Sequence, residues 1–493
     1  MLKDSEFNLK NIARQAMIAE NFLIEPDQKV FDEIEKLKKN KISYQTSTEI
    51  RDLRNLAWSS IDNEESKDLD QIEVGERLAS EEIRIMVGIA DVDAVASQHS
   101  AFDQFAAENT TSVYTGIETF PMLPREISEE ATSLLEGKDR LAIIIDFRIL
   151  KNGEVRLNDV YRAIVRNHAK LDYDKVGDWL DGNGKLPDKS EISEEELKDQ
   201  LKLQDEAADR LQAVRREAGA LEFETIEATT IKRDGKIYEV ALKQKSQARY
   251  LIENLMIASN VLIAQFLENK NYPRVERIVR KPERWQRIIE LARTLGAQLP
   301  AEPDSKALAG FLADRREKDP VHFADLSLSI VKLIGAGDYT VIEKGEKSVG
   351  HFGLAVNDYT HSTAPNRRYA DLITQRLVKA ALRAEEPPYN LAELGTIADH
   401  CNERQTAERK VERQMRKVVA AQVLAERIGE TFDAIITGVS RKGTFVRLLA
   451  PPAEGKIVEN ESGVDVGDRV KVRLISTIPE KGFIDFARII NKE

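Results

Sequence analysis

The sequence predicts an α+β fold, a mixed sheet surrounded by helices, with a small all-β barrel after it. Three observations lead there. Between Ile83 and Asn167, the runs IRIMVGIADVDAV, LAIIIDFRIL and EVRLNDVYRAIVRN are β-branched and alternate with a strand's period of two. From Ser193 onward, SEEELKDQLKLQDEAADRLQAVRREAG, ARYLIENLMIASNVLIAQFL and IADHCNERQTAERKVERQMRKVVAAQVLAER repeat apolar positions at helical spacing. The segment from Gly429 to Ile490 returns to short strands punctuated by glycine.

The elements follow in chain order. Residues 1–45 are expected to form a short helical segment: NIARQAMIAENFL is periodic, Pro26 interrupts, and Val30, Ile34 and Leu37 share one side of the next helix. ISYQTSTEI reads as extended, and RDLRNLAWSSID leads into an acidic stretch. EEIRIMVGIADVDAV is a core strand ending at a second acidic pair, Asp91 and Asp93. The next two strands are joined at Asn152-Gly153. Ser193 with Glu196 resembles a capping box that opens one long exposed helix. LEFETIEATTIKRDGKIYEVAL is strand-like with a turn at Asp234-Gly235, and a buried helix follows. Pro300 and Pro303 mark a loop, with two further helices beyond it. Ile397 to Arg427 is expected to be a charged connector helix. The five short strands of 429–491 suggest a barrel of the OB type.

Composition narrows the class. With 493 residues and 42% apolar content, the chain is long enough for two to four domains. A net charge of -12 and a pI near 5.4 argue against a protein that coats nucleic acid non-specifically, while leaving room for a local basic channel. A single cysteine, Cys401, rules out an intrachain disulfide and a multi-cysteine zinc site, and fits a reducing compartment. No apolar run is read as approaching the ~20 residues of a bilayer span, and the N-terminus lacks a signal-peptide layout. The expected location is the cytoplasm, with no membrane partner.

Two stretches carry candidate chemistry. SIDNEESKDLDQIEV places Asp62, Asp68 and Asp70 within nine residues. Carboxylates so close resist ionising together unless a cation neutralises them. Hard oxygen ligands suit magnesium or manganese, and converging aspartates are what metal-assisted phosphodiester hydrolysis requires. Read alone, the cluster fits either a metal site or a solvated acidic turn. The second stretch, Ala364-Pro365-Asn366-Arg367-Arg368-Tyr369, puts two arginines at a helix entrance, where they fit either phosphate binding or pairing with helix acids. His351 and His361 read as hydrogen-bonded structural histidines, and Cys401 as an apolar residue of the connector.

In order along the chain, SIDNEESKDLDQ, GIADVDAV, SVYTGIETFPMLPREIS, RNHAKLDYDKV, YLIENLMIASNVLIA, HFGLAVNDYTHSTAPNRRYADLITQRL and CNERQTAERKVERQM together resemble the ribonuclease II and ribonuclease R family, whose catalytic domain is called RNB. The match runs from about Asp52 to Leu424. The resemblance implies an RNB catalytic domain over 46–428 and an OB-fold RNA-binding domain over 429–491. It implies a processive 3′-to-5′ exoribonuclease that hydrolyses single-stranded RNA with a free 3′ end to nucleoside 5′-monophosphates. The implied cofactor is magnesium, two ions, with manganese as a substitute, and the chain is expected to act as a monomer. Asp62, Asp68 and Asp70 match metal-ligating aspartates, Asp70 being also the least replaceable catalytic carboxylate. Arg367 matches the arginine on the scissile phosphate, and Arg368 beside it is taken as an RNA contact. Tyr114 matches the aromatic on which a base near the 3′ end stacks. Glu408 falls on an acid of the connector helix that reaches the site, with Glu412 as the alternative one turn on, and Glu253 on an acid that touches ribose.

Three departures stand out. The family's fourth aspartate is Gln71 here, an uncharged weak ligand at best, which predicts a weaker second metal site and a higher magnesium requirement. Ala364 and Asn366 replace the usual Ser and Ile. The usual pair of N-terminal cold-shock barrels is expected to be absent. In the C-terminal barrel, Phe432, Phe445, Phe483 and Phe486 are candidate base-stacking residues, although aromatics in so small a barrel are mostly core, and the insertion around Pro451 and Pro452 alters its RNA surface. An alternative reading is a catalytically weak or inactive RNB protein that binds RNA 3′ ends, with Gln71 as its first sign.

Overall fold

The structure, a computed structural model, describes residues 2–40, 46–186, 190–224, 227–233, 236–243, 246–441 and 443–490. The expected turn at Asp234-Gly235 and the Ile42–Gln45 part of the extended leader lie outside the described residues. The N-terminal segment forms α1 (Leu2–Ala19) and α2 (Gln28–Lys39) on either side of Pro26, and Asp27 caps α2 by accepting from the Val30 N–H.

Next come β1 (Ile50–Asp52), β2 (Ser59–Asp62), β3 (Gln71–Arg77), β4 (Ile83–Ala90), α3 (Ala101–Asn109), the small hairpin β5 (Val113–Tyr114) and β6 (Thr119–Phe120), β7 (Asp139–Ile149), β8 (Val155–Arg166) and β9 (Ala169–Asp172). Seven of these strands form one mixed sheet in the order β1-β8-β7-β4-β3-β2-β9. The long β-branched strands β4, β7 and β8 pair antiparallel at its centre, whereas β1 on β8 and β2 on β9 are parallel. At the β7–β8 turn Gly153 has φ +81°, and a Cβ there would lie 2.5 Å from the Arg210 carbonyl oxygen, so only glycine fits. The second acidic pair, at the end of β4, is paired with cations of the fold. Asp91 accepts from Arg162 and Lys379, and Asp93 from Arg376 and Lys379, a buried network of matched charges.

The chain continues through α4 (Tyr173–Leu180), α5 (Glu194–Ala218), the pair β10 (Glu227–Arg233) and β11 (Lys236–Lys243), α6 (Gln247–Asn269), β12 (Arg274–Ile278), α7 (Trp285–Thr294), α8 (Ser305–Lys318), α9 (Pro320–Ile334), β13 (Asp338–Ile342), α10 (Tyr369–Arg383) and α11 (Leu391–Leu424). Two expectations change here. Ser193 caps α5, but the helix is not exposed all round: Leu197, Leu201, Ala208 and Leu211 are buried, and Gln200 bonds both backbone groups of Gly75 in β3. By length and composition α6 is long and apolar enough to cross a bilayer, contrary to the sequence reading. It is mostly buried inside the fold, as a core helix is.

The last five strands, β14 (Thr431–Ser440), β15 (Gly443–Leu448), β16 (Glu454–Glu459), β17 (Arg469–Ile478) and β18 (Phe483–Arg488), close into a barrel in the order β14-β15-β16-β18-β17. The β16–β18 pairing is parallel and the others are antiparallel, which is the OB arrangement. Phe432 and Phe486 fill its core, whereas Phe445 and Phe483 face solvent. The connector helix α11 joins everything: Leu394, Ala398 and Cys401 pack into the main core, Val411, Met415 and Val418 into a second cluster, and Ala420, Ala421 and Leu424 into the barrel's core.

Candidate active site

The acidic loop leaves the sheet at the end of β2 and returns at the start of β3. Its path is held largely by side chains that bond its backbone. Lys170 of β9 donates to the carbonyls of Glu64 and Ser66, and Ser133 accepts from the Leu69 N–H while donating to the Lys67 carbonyl. Asp62 and Asp70 are thereby brought to neighbouring strand ends, with Asp68 between them in the loop.

Nearly three hundred residues on, the arginine loop closes over Asp70. The Asn366 N–H donates to Asp70 Oδ1 at 2.9 Å, and Arg367 Nε lies 3.4 Å from Asp70 Oδ2. The loop is tightly held. The Ala364 N–H donates to Asp371 Oδ1, Thr132 Oγ1 donates to the side-chain oxygen of Asn366, and Ser362 donates to Asn260 through both its N–H and its hydroxyl. The two substituted positions, Ala364 and Asn366, are therefore both tied into the protein.

The two arginines do different work. Arg368 lays its guanidinium on Asp371 with two bonds, 2.8 and 2.7 Å, so its fork is already occupied. Arg367, with 47% of its side chain accessible, is the one presented to the cleft. Desolvation opposes its charge, but Tyr114, Asp70, Asp68 and Asp62 outweigh that and raise its pKa.

Burial dominates the carboxylates. It pushes Asp70 up to about 8 and Asp62 up to about 7, in each case against the pull of Arg367 and with the help of Asp68. Asp62 Oδ2 and Asp70 Oδ2 are buried with no hydrogen-bond partner among the described residues. The Asp62 oxygen, and Asp70 Oδ2 with only the Arg367 ion pair beside it, fit a hard divalent cation, which would supply the further positive partner. In the arrangement shown, no group of three or more His, Cys, Asp or Glu among the described residues is drawn tightly enough to hold a metal ion. Magnesium needs only one or two carboxylates, because it keeps several waters.

The remaining candidates surround this centre unevenly. Tyr114 is 41% exposed; its hydroxyl donates to Asp68 Oδ2 at 3.3 Å and its backbone N–H to Glu412 Oε1 at 3.3 Å. Of the two α11 acids, Glu412 thus touches the Tyr114 hairpin. Glu408 is raised to about 7 by burial and by Glu412, against the attraction of Arg409, Arg277 and Arg368. Glu253 faces a different space, a cavity of about 250 Å³ that it lines with Arg215, Arg216, Tyr250 and His351 and without any of the aspartates. Gln71 opens β3 opposite Ile89 and is buried. His361 bonds the Tyr339 hydroxyl and His351 caps Leu354; burial depresses both, His351 to about 4.

Sequence reasoning missed Glu73. It is fully buried on β3 across from Ser59, neither carboxylate oxygen has a hydrogen-bond partner among the described residues, and its pKa is raised well above normal by burial and by Asp62. The signal was present in QIEV, where Glu73 stands between the apolar Ile72 and Val74 in the buried half of β3.

Known proteins resemble this chain in sequence and in fold. The chain is 31% identical over 421 residues to Ribonuclease R of Thermotoga maritima, covering 83% of this chain and 57% of that protein. It is 30% identical over 408 residues to Ribonuclease R 1 of Lactococcus lactis, covering 80% and 48%. It therefore spans about half the length of these curated relatives. The solved structure of Mycoplasma genitalium RNase R in complex with ribose methylated single-stranded RNA has the same fold, with a TM-score of 0.86 over 98% of this chain and 78% of that one at 23% identity. Residues 430–489 match the RNase II-type exonuclease C-terminal S1 domain. Residues 50–384, the sheet, the acidic loop and the arginine loop together, match the RNB domain, and the chain belongs to the RNB family of ribonuclease II and ribonuclease R.

Proposed function

We propose that this chain is a magnesium-dependent exoribonuclease that shortens single-stranded RNA from a free 3′ end and releases nucleoside 5′-monophosphates. The observation that carries this reading is the meeting of Arg367 with Asp70, with Asp62 and Asp68 coupled to the same guanidinium. A fixed positive group, able to hold a phosphate, thus stands beside buried carboxylate oxygens that have no hydrogen-bond donor among the described residues.

Asp62, Asp68 and Asp70 would hold two magnesium ions, or manganese in their place, with the Gln71 side chain as a weak further ligand. When bound, the metal would supply an acidified water and counter-charge for the leaving oxygen. The protein's own groups do the rest. The Tyr114 ring supports the terminal base, a contact indifferent to base identity. Arg367 faces the phosphate and stabilises the charge that develops on it, and the Asn366 N–H keeps Asp70 turned toward that phosphate. Arg368 acts on RNA through Asp371, by holding the loop. The exposed Phe445 and Phe483 of the barrel, residues 429–491, offer stacking surfaces for RNA leading to the RNB domain over 46–428. Glu408 and Glu412 line the approach from α11, and the ribose contact assigned to Glu253 would be made from its own cavity, which none of the aspartates lines. We place the enzyme in the cytoplasm and read it as a monomer.

Gln71 and the open arrangement of the carboxylates favour one second reading, a weak or inactive RNB protein that binds RNA 3′ ends. Incubating single-stranded RNA with and without magnesium separates the two. The enzyme reading predicts metal-dependent loss of full-length RNA, slowed roughly 10²–10³-fold in Arg367→Ala by analogy with removing one transition-state donor. RNA that stays intact under every condition while still binding the wild type would leave the binder.

A further inference from the structure

The hairpin that carries Tyr114 does not sit on the main core. Its strands are only two residues each, too short to be stable alone. Its inward side chains, Val113 and Phe120, pack instead in a separate apolar cluster with Ala13, Met17 and Phe22 of the N-terminal segment and with Val411 and Met415 of α11.

That segment is clamped at three places. The Leu23 N–H donates to Asn109 Oδ1 at 2.9 Å, and Asn109 Nδ2 returns a bond to the Leu23 carbonyl at 3.0 Å. Arg404 of α11 lies over the Phe22 ring, 3.7 Å from its centroid, and donates to the Glu20 carbonyl at 2.8 Å. Lys410 of α11 pairs with Glu20 at 2.8 Å, and Arg14 reaches Glu118 in the hairpin turn at 3.7 Å.

Asn109 leads straight into the stretch, residues 110–112, that binds the arginine loop. The Tyr369 N–H donates to the Thr110 carbonyl at 2.8 Å, and the Ser112 N–H to the Arg367 carbonyl at 3.0 Å. The N-terminal segment therefore grips both the backbone beside Arg367 and the underside of the Tyr114 hairpin.

We infer that residues Leu9–Ile24 are a positioning element of the active site: held by Asn109 and Arg404, they fix the Tyr114 hairpin relative to Arg367 and so set where the last base of an RNA stacks. The inference rests on the exoribonuclease reading above. Phe22, Asn109 and Arg404 act through Tyr114 and touch no RNA themselves.

The test uses the full chain carrying Asp70→Asn, bound to a single-stranded RNA whose 3′-terminal base is 2-aminopurine, with stacking read as fluorescence quenching. Tyr114→Ala sets the level without stacking. Phe22→Ala, Asn109→Ala and Arg404→Lys are each expected to move quenching toward that level and to weaken 3′-end binding by roughly 10-fold, the scale of one lost base–aromatic stack. Arg404→Lys keeps the charge but loses the flat guanidinium on Phe22, so it carries the expectation should Phe22→Ala fail to fold. Phe22→Tyr, which keeps the ring, should quench like the parent. Folded clamp variants that quench fully overturn the inference. If the parent itself shows no quenching and the wild type leaves RNA intact with magnesium, it is the exoribonuclease reading that fails.

Discussion

Asp70 is shaped by two demands that conflict until a cation arrives. It is buried, which favours its neutral form, yet it receives an N–H from Asn366 and faces Arg367, which favour its charge. In the metal-free chain burial wins, leaving Asp70 at about 8 and Asp62 at about 7 against 3.8 for an ordinary aspartate. Between about pH 4 and about pH 8 the folded chain then binds protons that the unfolded chain has released, so these two groups lower stability as pH rises through that window. Thermal unfolding of metal-free protein should show a midpoint that falls toward pH 8, with a shallower fall in Asp70→Asn and recovery when magnesium is added, since the cation favours the ionised form. Midpoints with the same slope in wild type and Asp70→Asn would contradict this. At this scale the sequence was informative where neighbours in sequence are neighbours in space, as for Asp62, Asp68 and Asp70. It could not tell that Arg368 turns to Asp371 while Arg367 turns to the cleft, because adjacent residues take opposite directions only once the loop is bonded. Nor did it single out Glu73, whose burial depends on the helices covering the sheet.

Helices and strands of strong period were legible for a simple physical reason: burial of one face leaves a repeat in the residues. The β7–β8 pair, α6, α11 and the five barrel strands follow from such repeats. Pairing over distance left none, so β12 and β13, joined across some 60 residues of helices, went unread, and the depth of α5 was underestimated because its charged residues conceal a narrow apolar stripe. The α11–barrel seam offers a test at this scale. Gly482 precedes β18 with φ +64°, and a Cβ there would come within 2.8 Å of Lys417 Cβ and 3.0 Å of Val418 N on α11. Gly482→Val should therefore destabilise the barrel's seat by about 1–3 kcal/mol through strain and overpacking. Denaturant unfolding and proteolysis of the barrel measure it, and unchanged susceptibility would show that the seam yields freely.

Across the whole molecule, the site exists because the fold closes a long circuit. Asn366 and Asp70, 296 residues apart, share one hydrogen bond, and α11 runs from the RNB core past the Tyr114 hairpin to the barrel. Family motifs in the sequence announced both ends of that circuit. The N-terminal segment's grip on Tyr114 was not announced, since it is built from apolar residues that any helix pair contains. The claim that this circuit forms an exonuclease centre is tested most directly by following one single-stranded RNA labelled in turn at its 5′ and its 3′ end. With magnesium, the 5′ label should descend in single-nucleotide steps while the 3′ label appears from the outset as nucleoside 5′-monophosphate, and Asp70→Asn should show neither. Intact RNA with wild type and magnesium, or internal fragments from both labels, would contradict the account.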